Sequence, residues 1–277
     1  MLKRFVVVLS VFALFASLTF AAEVITPDGA KAPAAPGQRV EGPATVKTAA
    51  GDQIKLDEGA AVQIQPPDGE IELILVTRGS VRGVIGPKTQ VAVPTGWLMS
   101  PKGYTRFYAG TMGPKRACIK VDEGQGFLVF GKFTFQLMAG NGIEIEQTRS
   151  GALRFTTHQT NASEIRVIYA VNDELEIDLT VPKATTGMFK SEKNGQKTRI
   201  VSDAISWKSG TIDLETRLNK EPMHKGSLGP GTFAVIDNST GVLELAFDEV
   251  DFQIIQRATS LTSELSSLAV SNFFGYE

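Results

Sequence analysis

Cysteine and histidine are nearly missing from this chain, with one Cys and two His among 277 residues. A single cysteine excludes an internal disulfide framework and any multi-cysteine metal site. His158 and His224 lie far apart, without H-x-H or H-E-x-x-H spacing, so zinc ligation has no support in the pattern. A nucleophile elbow, a P-loop and G-x-G-x-x-G are also absent. The isolated Gly124-Gln125-Gly126, Gly140-Asn141-Gly142 and Gly229-Pro230-Gly231 read as turns between strands. No cofactor and no metal is expected. Neither sign of charge dominates, with Lys+Arg 28 and Asp+Glu 30 mixed along the chain, so the basic face of a nucleic-acid binder is not seen. After the first 20 residues no apolar run approaches the roughly 20 residues of a membrane span.

What is present begins with an export pattern. Met1–Arg4 is basic, Phe5–Phe20 is free of charge, and Thr19-Phe20-Ala21 places small residues at positions −3 and −1 of a cleavage point. Residues 1–21 are therefore expected to be a signal peptide, and the mature protein to work in the periplasm or outside the cell. Without Lys3 and Arg4 the 28 basic residues fall to 26, against 30 acidic ones.

Glu23–Pro43 is rich in Pro, Ala and Gly and reads as a flexible leader over 22–43. From Val46 onward apolar residues recur with period two between Asp/Gly/Pro turns, the mark of antiparallel strands. Seven to nine short strands are expected in residues 44–131. About ten more follow over 132–255, with a separation near Gly131–Lys132 and hairpin turns at Asn172-Asp173 and Asn194-Gly195. The expected fold is all-β, with two consecutive sandwich- or roll-like domains and a short C-terminal helix. That helix falls in 256–277, where Ala258, Leu261, Leu265, Leu268 and Ala269 share one helical face. The tail Phe273–Tyr276 offers a docking element for a partner.

Three kinds of residue carry candidate chemistry. Cys118 alternates with Ala117, Ile119 and Val121, as a small strand residue would, and no histidine lies near it in sequence. Glu144/Glu146, Glu174/Glu176/Asp178 and Asp248/Glu249/Asp251 supply the carboxylate pairs a glycoside hydrolase needs, although they alternate with apolar residues as solvent-face acids do. Trp97, Tyr104 and Tyr108, with Phe107, cluster around GWLMSPKGYTRFYAG. Aromatics on loops of β domains give flat apolar contact area, so Trp97, Tyr104 and Tyr108 are the expected binding surface. Asn161-Ala162-Ser163 and Asn238-Ser239-Thr240 match the glycosylation acceptor, a frequent chance match.

Over about Gly42–Gly131 the chain resembles the FecR-like domain family. The matching stretches are ATVKTAAGDQIKLDEGAAVQI, LILVTRGSVRGVIG (Leu73–Gly86), QVAVPTGWLMS (Gln90–Ser100) and IKVDEGQGFLVFG (Ile119–Gly131). The family's T-P-x-G turn stands here as Val93-Pro94-Thr95-Gly96, and its G-T-x-F as Gly103-Tyr104-Thr105-Arg106-Phe107. The resemblance implies an extracytoplasmic all-β module without catalytic residues, used for sensing or binding. Only Met1–Arg4 precede the apolar run, so a cytoplasmic anti-sigma segment is not expected. The sequence thus points to a non-enzymatic envelope protein that binds or scaffolds an envelope protein or glycan. The rival reading is a carbohydrate-active hydrolase with a carboxylate pair.

Overall fold

A computed structural model describes residues 22–149, 152–159, 164–182, 184–191, 196–202, 211–229 and 232–247. The segment expected to be a signal peptide, the hairpin expected at 205–214 (apart from its last few residues), the acids Asp248, Glu249 and Asp251, and the expected C-terminal helix and tail lie outside these residues. The described part is all-β. Its first strands are β1 (Ala22–Ile25), β2 (Lys31–Ala34), β3 (Arg39–Glu41), β4 (Ala44–Thr48), β5 (Gln53–Leu56), β6 (Ala61–Ile64), β7 (Glu72–Arg78) and β8 (Ser80–Ile85). There follow β9 (Thr89–Val93), β10 (Gly96–Met99), β11 (Thr105–Thr111), β12 (Arg116–Glu123), β13 (Gln125–Phe130), β14 (Phe133–Met138), β15 (Asn141–Gln147) and β16 (Leu153–Gln159). The last are β17 (Ile165–Ala170), β18 (Leu175–Val181), β19 (Thr186–Ser191), β20 (Lys197–Ser202), β21 (Ile212–Leu218), β22 (Glu221–Leu228), β23 (Thr232–Asp237) and β24 (Leu243–Phe247).

Among the described residues these strands form two sheets. The first runs β2-β1-β4-β5-β8-β11-β12-β15-β16-β19-β20-β23-β24, and the second β22-β21-β18-β17-β14-β13-β10-β9-β7-β6-β3. Alternate residues of each strand face the partner sheet, so the period-two pattern becomes one continuous core from Ala22 to Ile236. Full burial of one of its Ile, Leu or Phe side chains contributes about 1.5–3 kcal/mol.

Two expectations give way here. The stretch read as a flexible leader is built into the sandwich. β1 pairs with both β2 and β4, β3 pairs with β6, and Ala22, Ala34 and Val40 are buried. Small residues hide this segment from a hydropathy pattern, because an inward alanine packs a thin part of the core without standing out from its neighbours. The separation near Gly131–Lys132 is a hairpin turn between β13 and β14. Both sheets run across it, through β12 with β15 and β14 with β17. Residues 44–131 and the described residues after them therefore share one core and both sheets.

The order of pairing sets the shape of everything that follows. From β9 onward the chain lays down one antiparallel hairpin per sheet in alternation: β9–β10 in the second, β11–β12 in the first, β13–β14 in the second, and so on to β23–β24. Each hairpin leaves and returns on the same side, so its turn and its connection to the other sheet lie on opposite long sides. From β9 onward the described sheet-to-sheet connections fall along one side, here the crossing side, whereas β3–β4, β5–β6 and β7–β8 cross on the other. The described turns of these hairpins fall along the other, the hairpin side, whereas the earlier β4–β5 turn lies on the crossing side. At one crossing Gly124 (φ 79°) turns β12 into β13, and a Cβ there would sit 2.2 Å from the Tyr104 carbonyl oxygen. Only glycine fits that approach.

Candidate functional site

Buried polar side chains lace the crossing side shut. Glu72, at the start of β7, accepts from the Ala49 and Ala50 amides of the β4–β5 turn at 2.9 and 3.0 Å, joining the two sheets. Asp52 accepts from the Gly86 amide at 2.8 Å. Thr105 Oγ1 donates to the Gln125 carbonyl, and Asn141 Oδ1 accepts from the Met138 amide at 2.7 Å. Thr157 Oγ1 donates to the Pro182 carbonyl at 2.9 Å and accepts from the Thr185 amide at 2.9 Å. Buried polar groups are tolerated when they are bonded in this way, and each then fixes a connection.

The predicted aromatic surface is dispersed by this architecture. Trp97 lies on the outer face of β10 in the second sheet, with Leu98 beside it turned into the core. Tyr108 lies on the outer face of β11 in the first sheet, so the two rings stand on opposite faces of the sandwich. The Tyr108 hydroxyl is tied to Asp57 at 3.0 Å and Ser80 at 3.1 Å, and burial pushes its phenol up. Tyr104 sits in the crossing loop before β11, beside Gly86 and Asp52, and is 70% exposed. Phe107 is core. The three expected binding residues form no common surface, because closeness in sequence spans a loop and a change of sheet.

Three of the candidate acids, Glu144, Glu146 and Asp178, are clasped by cations. Glu144, on the outer face of β15, pairs with Arg116, and Glu146 meets Arg154 at 3.7 Å. Asp178, on the outer face of β18, takes Arg166 Nε at 2.8 and 3.0 Å and Arg217 at 3.3 Å. Glu215 takes Arg217 at 2.6 Å and Lys225 at 2.9 Å. Glu144 and Asp178 thus stand on opposite faces of the sandwich, out of reach of one substrate bond. Cys118 packs beneath this surface with its Sγ 3.0 Å from Met112 Sδ. Burial first, and the Glu144 carboxylate second, push its thiol far above the usual range, away from nucleophilic chemistry.

The hairpin side is built differently. Phe133 follows the Gly131–Lys132 turn, and Tyr169 precedes the β17–β18 turn directly opposite it in register. Both face inward at the strand ends, with ring centroids 4.4 Å apart and planes 18° from parallel. Phe189 of the first sheet meets Phe133 at 4.5 Å, and Phe155 meets Phe189 at 5.4 Å, so aromatic rings bridge the layers here. Gly187 makes room, since a Cβ there would lie 2.4 Å from the Phe155 ring. Beyond this floor a cavity of about 620 Å³ opens to solvent, with Lys132, Tyr169 and Asn172 from the second sheet and Lys197, Asp237 and Asn238 from the first. The size falls within the range of small-ligand sites.

Its rim is partly organised. Lys132 Nζ donates to the Val171 carbonyl at 2.6 Å, and Asn172 Nδ2 donates to the Asn238 carbonyl at 3.1 Å across the sheets. Asp237 accepts from the amides and hydroxyls of Ser239 and Thr240, and these bonds hold its carboxyl well below the usual range. The sequence motif Asn238-Ser239-Thr240 is therefore the turn that frames the cavity. Lys197, exposed at the start of β20, makes no ion pair among the described residues, and the Tyr169 hydroxyl has no hydrogen bond there. Sequence reasoning passed over Tyr169 and Phe133. The available signal was two aromatics flanking hairpin turns in the inward phase of their strands. The chain matches no family model and no curated protein.

Proposed function

We propose that this protein is a non-enzymatic, exported component of a bacterial envelope, acting by binding or scaffolding through the cavity on its hairpin side. The export pattern at 1–21 and the FecR-like resemblance over 42–131 support the setting. One observation carries the mode of action. Glu144, Glu146 and Asp178 are each engaged by an arginine, whereas the cavity offers an aromatic floor with uncommitted donors. Convergent polar groups over an apolar floor are what small-ligand recognition uses.

The test sets binding against turnover in one experiment. The full chain is incubated with a panel of soluble envelope polysaccharides. Retention is measured by affinity electrophoresis, and new reducing ends are measured in the same samples. Retention without new reducing ends is expected. Release of reducing ends that Glu144→Gln or Asp178→Asn abolishes would replace this reading with a hydrolase.

A further inference from the structure

The geometry points to an anionic saccharide as the ligand of the hairpin-side cavity, an inference that rests on the binding reading above. The floor and the rim call for different parts of one ligand. Tyr169 lines the cavity with its ring stacked on Phe133, so the ring is held in place before any ligand arrives. A preorganised aromatic ring suits the apolar C–H face of a sugar, because contact is gained without freezing a mobile side chain. Its hydroxyl, free of partners among the described residues, is left to bond a sugar hydroxyl. A ligand that was apolar throughout would leave the amides and ammonium groups of the rim without partners, which costs affinity.

Charge sets the class of sugar. Lys132 and Lys197 bring two ammonium groups to the rim from opposite sheets. Lys132 uses one donor on the Val171 carbonyl, and an ammonium carries three, so two remain. Asp237 stands opposite Lys197 in the β20–β23 register. Its carboxylate is turned to the Ser239 and Thr240 donors, and no ion pair with Lys197 forms. The nearby anion is thus already satisfied, while the cations are free to take another. A uronic acid or phosphorylated sugar places its negative group between two lysines while its ring lies over Tyr169. A neutral sugar would fill the floor and leave the lysines unused. Asn172 completes the site by bridging to Asn238, which fixes the spacing of the two sheets at the cavity mouth.

The probes are tetragalacturonate and the neutral maltotetraose, titrated calorimetrically into the full chain at low and moderate salt. Tetragalacturonate should bind more tightly and weaken as salt rises, since the charged contacts lie near the surface. The double variant Lys132→Gln/Lys197→Gln should lose roughly tenfold or more for the acidic probe while leaving the neutral one little changed. Lys102→Gln, an exposed lysine in the crossing loop, should bind as the parent does. Tyr169→Phe keeps the ring stack and should weaken both sugars modestly. Equal affinity for the two sugars, an unchanged double variant, or no binding of either oligomer would each overturn the assignment. Polysaccharide retention that persists in any of these cases leaves the binding reading standing and moves its site elsewhere.

Discussion

The two long sides of this sandwich solve one problem in different ways. On the crossing side the chain from β9 onward passes between the sheets, and buried Glu72, Asp52, Thr105, Asn141 and Thr157 lock this side by hydrogen bonds to the backbone. On the hairpin side each described turn from β9 onward returns to its own sheet. The layers are held there by stacked and tilted rings of Phe133, Tyr169, Phe155 and Phe189, with the Asn172–Asn238 bond at the rim. Directional bonds fix a distance, whereas ring packing tolerates a gap at its margin. The cavity opens along that side, away from the β3–β4, β5–β6 and β7–β8 crossings nearer the N-terminus.

The contrast can be broken by substitutions of decreasing effect. Phe155→Ala removes a fully buried ring from the aromatic bridge and should cost about 3–5 kcal/mol in denaturant unfolding. A loss below 1 kcal/mol would mean the rings do not hold the layers together. His158, on the outer face of β16, gives the next effect. Burial pulls its imidazole down to about 4 from 6.5. The unfolded chain therefore takes up this proton first as pH falls, and stability present above pH 6.5 drains away between 6.5 and about 4, on the order of 3 kcal/mol in all. In His158→Gln that part of the pH profile should flatten, and an unchanged slope would contradict the burial.

Smaller effects separate the sides directly. Glu72→Ala strips two amides of their acceptor and should cost about 2 kcal/mol, with a change in exchange rates at Ala49 and Ala50. Asn172→Asp on the hairpin side keeps the oxygen that accepts from the Glu174 and Leu175 amides, loses the bridge to Asn238 and should cost only about 1 kcal/mol. A larger loss for Asn172 than for Glu72 would reverse the assignment of the locked side. Tyr104→Ala, at a 70% exposed ring, should stay within about 0.5 kcal/mol and leave ligand retention unaltered.

Much of the frame was legible in the residues themselves. Period-two alternation placed most of the described strands after residue 44, and the alternation around Cys118 set Ala117, Ile119 and Val121 on one face, which is buried, as Cys118 is too. Continuity was not legible, because Gly131-Lys132 has the same composition whether it closes a hairpin or links two domains. Only lateral pairing, between segments distant in sequence, tells these apart. Strands β1–β3 escaped notice because alanine and proline carry little hydropathy contrast. The site was misplaced for a related reason. Trp97, Tyr104 and Tyr108 are neighbours in sequence but separated by a change of sheet, whereas Tyr169, Lys197 and Asn238 are distant in sequence and brought together by it.

The central claim is that the hairpin side receives a ligand while the crossing side stays closed. Amide hydrogen exchange of the full chain, with and without saturating tetragalacturonate, addresses it most directly. Protection should rise at 169–174 and 237–241 and stay unchanged at Ala49, Ala50 and Gly86. New protection confined to the crossing side, or to the outer face around Trp97, would contradict the account.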